Sequence, residues 1–408
     1  MKDIENSKKE NPFLGLTGMG GGVGGFNFLS GAAATPFSLY AWGLNDWGQL
    51  GLNATENAYS SPTQVGTDTD WSMAHASGGG YWAFLLKNDG TMWGAGRGLQ
   101  GQSGMNVNDG PEISSPVQLP GTWKSVAVHR STSGLKSDGS MWTWGENQYG
   151  ELGLNSRTNY SSPIQVGSET SWGSSDDDLT KAGASFRTQA GGRYYKVFLK
   201  TDGTMWSCGR NNNDMNLGLN DQADRSSPTQ IGTNNTWKMV AGKASSIVAI
   251  KTDGTLWTWG RNGYGQLGVG DEVWYSSPVQ VGSETTWSTA DMQEGMTGAI
   301  KTDGTLWTWG NNTRGMLGHN EPAGSIKKSP VQVGTNNTWS TISVGGACFA
   351  TKTDGTGWAW GDNGNGKLAN NEEGSAPNSR SSPTQIQGTN WQRISIGSGS
   401  VFGLRTVD

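Results

Sequence analysis

Hydrophobic and polar positions alternate along this chain in short bursts, and the bursts recur. In Ala249-Ile-Lys-Thr-Asp-Gly-Thr-Leu-Trp-Thr-Trp-Gly260, two strand-like runs flank Asp253-Gly254. Asp-Gly is the strongest two-residue hairpin signal, because a type I′ turn needs positive φ at both central positions. The same pair recurs at Asp89-Gly90, Asp138-Gly139, Asp202-Gly203, Asp303-Gly304 and Asp354-Gly355. These six aspartates read as turn residues, not as catalytic acids. In the second strand, Trp257 and Trp259 lie two apart and face the same way. A stack of sheets would bury that face against its neighbour.

The segment from Lys251 to Gly260 recurs letter for letter from Lys301 to Gly310, and weaker copies cover the chain. The glycine closing each copy falls at Gly43, Gly96, Gly145, Gly209, Gly260, Gly310 and Gly361, a period of about 51 residues. A Ser-Pro-x-Gln marker follows in step at Pro62, Pro116, Pro163, Pro228, Pro278, Pro330 and Pro383, and its Ser-Pro reads as a turn element. A lone tryptophan comes next: Trp71, Trp123, Trp172, Trp237, Trp287, Trp339 and Trp391. Seven ordered units predict a repeat fold. The last unit ends at Gly403-Leu-Arg-Thr-Val-Asp408, and the first begins with Leu39-Tyr-Ala-Trp-Gly43, a strand without its partner. The N-terminal strand is therefore expected to complete the last sheet and close a ring of seven. The 65 glycines and 21 tryptophans among 408 residues suit tight turns between short aromatic strands.

The strings Trp42-Gly-Leu-Asn-Asp-Trp-Gly-Gln-Leu-Gly51, Trp144-Gly-Glu-Asn-Gln-Tyr-Gly-Glu-Leu-Gly153 and Trp259-Gly-Arg-Asn-Gly-Tyr-Gly-Gln-Leu-Gly268 strongly resemble the regulator of chromosome condensation repeat. The resemblance covers residues 38–408. It implies an all-β, seven-bladed propeller closed by mixing N- and C-terminal strands. The family often carries a histidine just before the L-x-x-DG strand, and this chain has other residues there. Family members include a nucleotide exchange factor for a small GTPase, an ultraviolet-B photoreceptor and a β-lactamase inhibitor, so the resemblance fixes fold better than function. The photoreceptor's Gly-Trp-Arg-His-Thr motifs are missing from this sequence. Eighteen tryptophans fall on the repeat template, which leaves Trp47, Trp82 and Trp274 off it.

Charge narrows the function classes. The net charge is −5, and the densest basic spots are Lys8-Lys9 and Lys327-Lys328, too small for a nucleic-acid surface or a polybasic membrane anchor. No stretch approaches the ~20 apolar residues of a spanning helix. Cys208 and Cys348 make no metal pair and read as free core thiols. His75, His129 and His319 have no ligand spacing and read as structural or surface residues. There is no GxSxG, HExxH or P-loop lysine, so the expectation is a non-enzyme with no cofactor and no metal.

Residues 1–37 stand outside the repeat as a glycine-rich arm, with Phe13, Leu14, Leu16, Phe26, Phe28 and Leu29 among its apolar residues. Glycines interrupt its apolar run, which argues against a secretory signal. The arm loosely resembles glycine-rich leaders of structural proteins in tailed bacteriophages, and residues 11–37 are read as docking into other structural proteins of an assembly. The longest unit carries an excess between Gly167 and Tyr195, with Asp176-Asp177-Asp178, Arg187 and Arg193. Calcium sites alternate ligands with spacers, so the three aspartates read as a solvated loop.

Two repeat positions form variable rings. After W-G-x-N-x come Trp47, Tyr149, Tyr264, Arg314 and Asn365. Before the Ser-Pro come Tyr59, Tyr160, Arg225, Tyr275 and Arg380. Aromatics and arginine are enriched at binding hot spots. The two readings are a glycan or protein contact, and a cover over loop glycines of the same blade. The functional expectation is a non-enzymatic structural and binding module: a virion surface or appendage protein, anchored by the arm and touching a host-surface protein or glycan. The alternative is a free propeller, extracellular or cytoplasmic, that binds a protein partner as an inhibitor or GTPase regulator, or a secreted lectin.

Overall fold

The computed structural model describes residues 35–407, apart from 56–57, 78–80, 108–109, 175–187, 213, 294 and 373–378. The arm residues Phe13, Leu14, Leu16, Phe26, Phe28 and Leu29 lie outside the described residues, as do Asp176, Asp177, Asp178 and Arg187.

Each repeat makes a four-stranded antiparallel sheet, or blade, and there are seven. Blade 4 is representative, with strands Trp237–Ala241, Ser246–Lys251, Leu256–Gly260 and Tyr275–Gln280. Blades 1 to 6 span 71–119, 123–165, 189–230, 237–280, 287–332 and 339–385. Blade 7 joins both ends of the sequence: Trp391–Ile396, Ser400–Thr406, Phe37–Leu44 and Ala58–Gln64. Phe37–Leu44 pairs with Ser400–Thr406 in unbroken register from Phe37↔Thr406 to Gly43↔Ser400. The ring closes as the repeat phase requires. The seven first strands surround a central channel.

The hairpin expectation needs correcting in its turn type. Among the Asp-Gly pairs only the glycine has positive φ, such as Gly254 at 78°. Gly254 N donates to Lys251 O at 2.9 Å, which closes a three-residue connection. This is a type I turn followed by a left-handed glycine. Asp253 Oδ1 accepts from Thr255 N at 2.9 Å and from Thr255 Oγ1 at 2.7 Å, and Thr255 Oγ1 in turn accepts from Trp257 Nε1 at 2.9 Å. These bonds to the ionised form hold the Asp253 carboxyl below its usual range. The aspartates are turn residues, as the sequence indicated.

Ser-Pro also differs from expectation. It lies inside each fourth strand, for example Tyr275–Gln280, not in a turn. A fourth strand is the sheet edge, where a missing N–H breaks no ladder and blunts pairing with other chains.

The two tryptophans of each third strand do different work. Lys251 Nζ lies 3.8 Å from the Trp257 ring and 4.8 Å from the lone Trp237 ring. The same sandwich holds Lys136, Lys200, Lys301 and Lys352, and Arg405 fills the place in blade 7 between Tyr40 and Trp391. Burial among these rings lowers the pKa of Lys251 and Lys352. The second tryptophan is fully buried and joins blades. Trp259 Nε1 donates to Asn216 O of blade 3, Trp309 Nε1 to Gln266 O of blade 4, and Trp360 Nε1 to Met316 O of blade 5. Blade 3 has Cys208 at this place, its thiol directed at Glu151 O. Blade 1 has Ala95, and Trp82 packs over the neighbouring Gly94. Apolar clusters fill the same junctions, with Val197, Leu199 and Leu217 of blade 3 meeting Trp237, Val240 and Trp259 of blade 4.

Blade 3 departs from the template. Trp172 keeps its place against Phe198 and Trp206, and the first strand of this blade is the short Gln189–Gly191.

Candidate binding face

In a four-stranded meander the first and third connections emerge at one end, and the second and the link to the next blade at the other. The propeller therefore has a loop-bearing face and a turn-bearing face. The third connections build the loop-bearing face, and most of their template residues are structural. Asn262 is fully buried; its Oδ1 accepts from Leu267 N at 2.9 Å and its Nδ2 donates to Asp271 O at 3.0 Å. Each loop then hooks the next blade by one main-chain bond: Asn155 N to Ser226 O at 2.7 Å, Asn220 N to Ser276 O at 2.8 Å, and Asn320 N to Ser381 O at 2.7 Å. The hooking residue is left-handed, with φ of 52°, 59° and 56° at these three, which suits asparagine.

What varies is therefore free for function. Trp47, Tyr149, Tyr264, Arg314 and Asn365 stand in the third connections, each beside the blade junction. Trp47 meets Tyr81 edge-on at 6.1 Å and carries the Arg97 guanidinium at 4.7 Å. Tyr149 meets Tyr194 at 4.8 Å, with Arg210 over it at 5.2 Å. Arg314 pairs with Asp362 at 2.7 Å. Tyr264 is 49 % exposed and lies beside Gly295. The remaining members of this ring are Gln100, whose amide faces the Glu146 carboxylate at 2.8 Å, and Asp214, which pairs with Arg261 at 3.3 Å. The charged partners Arg97, Glu146, Arg210, Arg261 and Asp362 each come immediately after W-x-W-G, or its drifted form, in the following blade.

Tyr59, Tyr160, Arg225, Tyr275 and Arg380 are not part of that inner ring. They begin fourth strands on the outer rim, each opposite the glycine that closes W-x-W-G, as Tyr275 is opposite Gly260. Tyr275 Oη donates to Asp271 at 2.9 Å, Arg225 pairs with Asp221, and Arg380 pairs with Glu372 at 3.1 Å. Arg193 stands in the first connection of blade 3, over the Tyr194 ring at 4.7 Å.

The channel end is polar. His75 Nδ1 accepts from Val128 N at 3.3 Å, and Asp291 Oδ2 accepts from Val344 N at 2.9 Å. Lys243 Nζ reaches across, donating to Ile396 O at 3.0 Å and lying 3.7 Å from Asp291. Burial, reinforced by nearby lysine charge, lowers His75 and His129 to about 3. Burial also pushes Glu151 up to about 7 and lowers Lys196, whose Nζ donates to Ser131 O at 2.7 Å, to about 8. Among the described residues no cluster of acids, histidines and cysteines has metal-site geometry.

Sequence reasoning missed Arg97, Arg210 and Arg261, which follow the closing glycine of their units, and Arg130, which lies in a first connection. The available signal was complementarity with an offset of one unit: tryptophan 47 with Arg97, Tyr149 with Arg210, Asp214 with Arg261, Arg314 with Asp362.

Comparison with known proteins agrees with this architecture. The Regulator of chromosome condensation (RCC1) repeat matches residues 38–86, 138–176, 253–290 and 303–350, and a second form of it matches 238–266. A search of curated proteins finds no match. Human WBSCR16 superposes with a TM-score of 0.75 at 19 % identity, over 91 % of this chain and 99 % of that one. Prp20p from Saccharomyces cerevisiae, described with its binding to Gsp1p and histones, gives 0.77 at 18 % identity over 92 % and 93 %. Yeast RCC1 (Prp20) in complex with Kap60 gives 0.77 at 17 % identity over 92 % and 90 %. The chain is therefore built from regulator of chromosome condensation repeats, which match it in four stretches, and it has the seven-bladed propeller fold of the proteins above.

Proposed function

We propose that this propeller is a non-catalytic module that binds a protein partner through its loop-bearing face. The carrying observation is the set of arginine–aromatic pairs at the positions the template leaves variable: Trp47 with Arg97, Tyr149 and Tyr194 with Arg210, and Trp274 with Arg261 at 4.9 Å. Tryptophan, tyrosine and arginine dominate interface hot spots because they bring large area with few rotamers and directional charge. The arginines favour an acidic partner surface. Prp20p and its Kap60 complex are protein-binding propellers of the same fold. The virion reading depends on the arm, which lies outside the described residues, and no relative named above is a virion protein. The free-propeller alternative is the reading adopted here.

The test is affinity capture from the native source with charge-reversed surfaces. Arg210→Glu with Arg261→Glu should lose a partner that the wild type retains. Thr233→Glu with Asn234→Glu, which places two glutamates on the turn-bearing face, should keep it. Equal retention by both variants would overturn the assignment of the face.

A further inference from the structure

We propose that a cavity on the loop-bearing face, between blades 3 and 4, is a binding site for a small hydroxy acid of the sugar-acid class. The cavity is about 220 Å³, and its walls include Arg193, Arg210 and Lys243. On its lining are three polar side chains almost fully removed from solvent, Tyr195 at 1 %, Asn216 at 2 % and Gln293 of blade 5 at 3 % exposure. Tyr195 Oη and Asn216 Oδ1 have no hydrogen-bond partner among the described residues. Buried polar atoms are nearly always paired, and an unpaired one destabilises the fold. Tyrosine at 195 gains nothing for the core that phenylalanine would not supply.

The lining arises from a local departure from the repeat. In four other blades the residue equivalent to Asn216 is Gln49, Gln102, Glu151 or Gln266, and its side-chain oxygen accepts the main-chain N–H of the ring residue two before it. Asparagine is one methylene shorter, and its Oδ1 makes no such bond. The position equivalent to Tyr195 is Ser131 in blade 2, Ser246 in blade 4, Met296 in blade 5 and Ala347 in blade 6. Blade 3 alone places a tyrosine there, beside the shortened amide.

The chemistry of the walls selects the ligand. Arg193 and Arg210 rest on the Tyr194 ring at 4.7 and 5.6 Å, which steadies both guanidiniums. With Lys243 they favour a carboxylate. A simple anion would leave Asn216 Oδ1 unpaired and would face the Asp214 carboxylate, which also lines the cavity. Hydroxyl groups donate to both acceptors. A carboxylate with adjacent hydroxyls meets every demand, and aromatic Tyr194 offers a ring face for a sugar. This site shares Arg210 and Tyr194 with the proposed partner face, but its ligand is tested on the chain alone, so either reading can fail without the other.

Isothermal titration of the full chain with D-glucuronate, D-glucose and acetate tests the proposal. Glucuronate should bind at least about tenfold more tightly than either control, because each control lacks one half of the recognition. Tyr195→Phe should weaken glucuronate by about tenfold or more and leave the melting temperature unchanged or higher. Asn216→Gln, which restores the template residue, should also weaken it. Equal binding of acetate or glucose, or no glucuronate binding, would overturn the proposal. So would unchanged affinity in both variants, or a Tyr195→Phe protein that melts lower yet binds normally.

Discussion

Replacing Trp259 or Trp309 by phenylalanine isolates what the inter-blade latch contributes. Both indoles are fully buried, and each donates to a main-chain carbonyl of the preceding blade at 2.9 Å. The ring atoms removed are the same, so the transfer and cavity costs are common to the two sites. The acceptors differ. Gln266 O also accepts Thr297 Oγ1 at 2.7 Å, so it keeps a partner when Trp309 changes. Asn216 O has no second donor among the described hydrogen bonds. An unpaired buried carbonyl costs about 1–3 kcal/mol. Trp259→Phe should therefore be more destabilising than Trp309→Phe by that amount. Adding Thr297→Val to Trp309→Phe should remove the advantage, and the double variant should exceed the sum of its singles by about 1 kcal/mol. Urea unfolding followed by far-ultraviolet circular dichroism measures all four proteins without relying on tryptophan emission. Equal costs at the two sites, or strict additivity with Thr297→Val, would refute the role given to the orphaned carbonyl.

Other consequences are equally direct. Lys251→Met should cost about 0.5–2 kcal/mol through loss of the cation between Trp237 and Trp257, and Lys251→Arg should recover part of it in the same unfolding assay. Gly150→Ala should be strongly destabilising, since φ is +84° and the new Cβ would stand 2.5 Å from Ser226 Cα. Gly263→Ala meets nothing within 4 Å and should stabilise by about 0.4–1 kcal/mol. Acid should weaken the fold through the channel: His75 and His129 titrate at about 3 when folded and 6.5 when unfolded, so the unfolded chain takes up protons first as pH falls below 6.5. Glu151 acts the other way, because its folded value of about 7 exceeds 4.5, and protonation there favours the fold. Each group contributes at most about 1.4 kcal/mol per pH unit, and two histidines against one glutamate leave a net loss of up to about that slope between pH 6.5 and 4.5. Melting temperatures should drop across this range, and His75→Gln with His129→Gln should reverse the sign of the slope.

The architecture was legible because its determinants are local and repeated. The shared face of Trp257 and Trp259 follows from the period of two, and ring closure follows from the phase at which the last unit ends. The turn type was not legible. Asp-Gly is compatible with two hairpin geometries, and the choice depends on Asp253 bonding Thr255, which in turn receives Trp257. Ser-Pro looked like punctuation because proline is read as a breaker, but an edge strand tolerates it. The candidate binding face was half legible. Trp47, Tyr149 and Tyr264 stood out as variable aromatics, whereas their partners Arg97 and Arg210 lie in the next unit, about 50 to 60 residues on by sequence. Asp214 and Gln100 were hidden because their loops have lost the Trp-Gly-x-Asn spacing. The cavity beside Tyr195 had no sequence signature, since first strands and first connections carry no shared motif beyond the lone tryptophan.

Site-specific photocross-linking most directly tests the claim that the loop-bearing face receives the partner. A photoreactive residue at position 264, on the loop-bearing face, is compared with one at position 234, on the turn-bearing face, in the native source. The account predicts one dominant protein adduct from position 264 and none of the same mass from position 234. Adducts only from position 234, or an identical pattern from both, would contradict it.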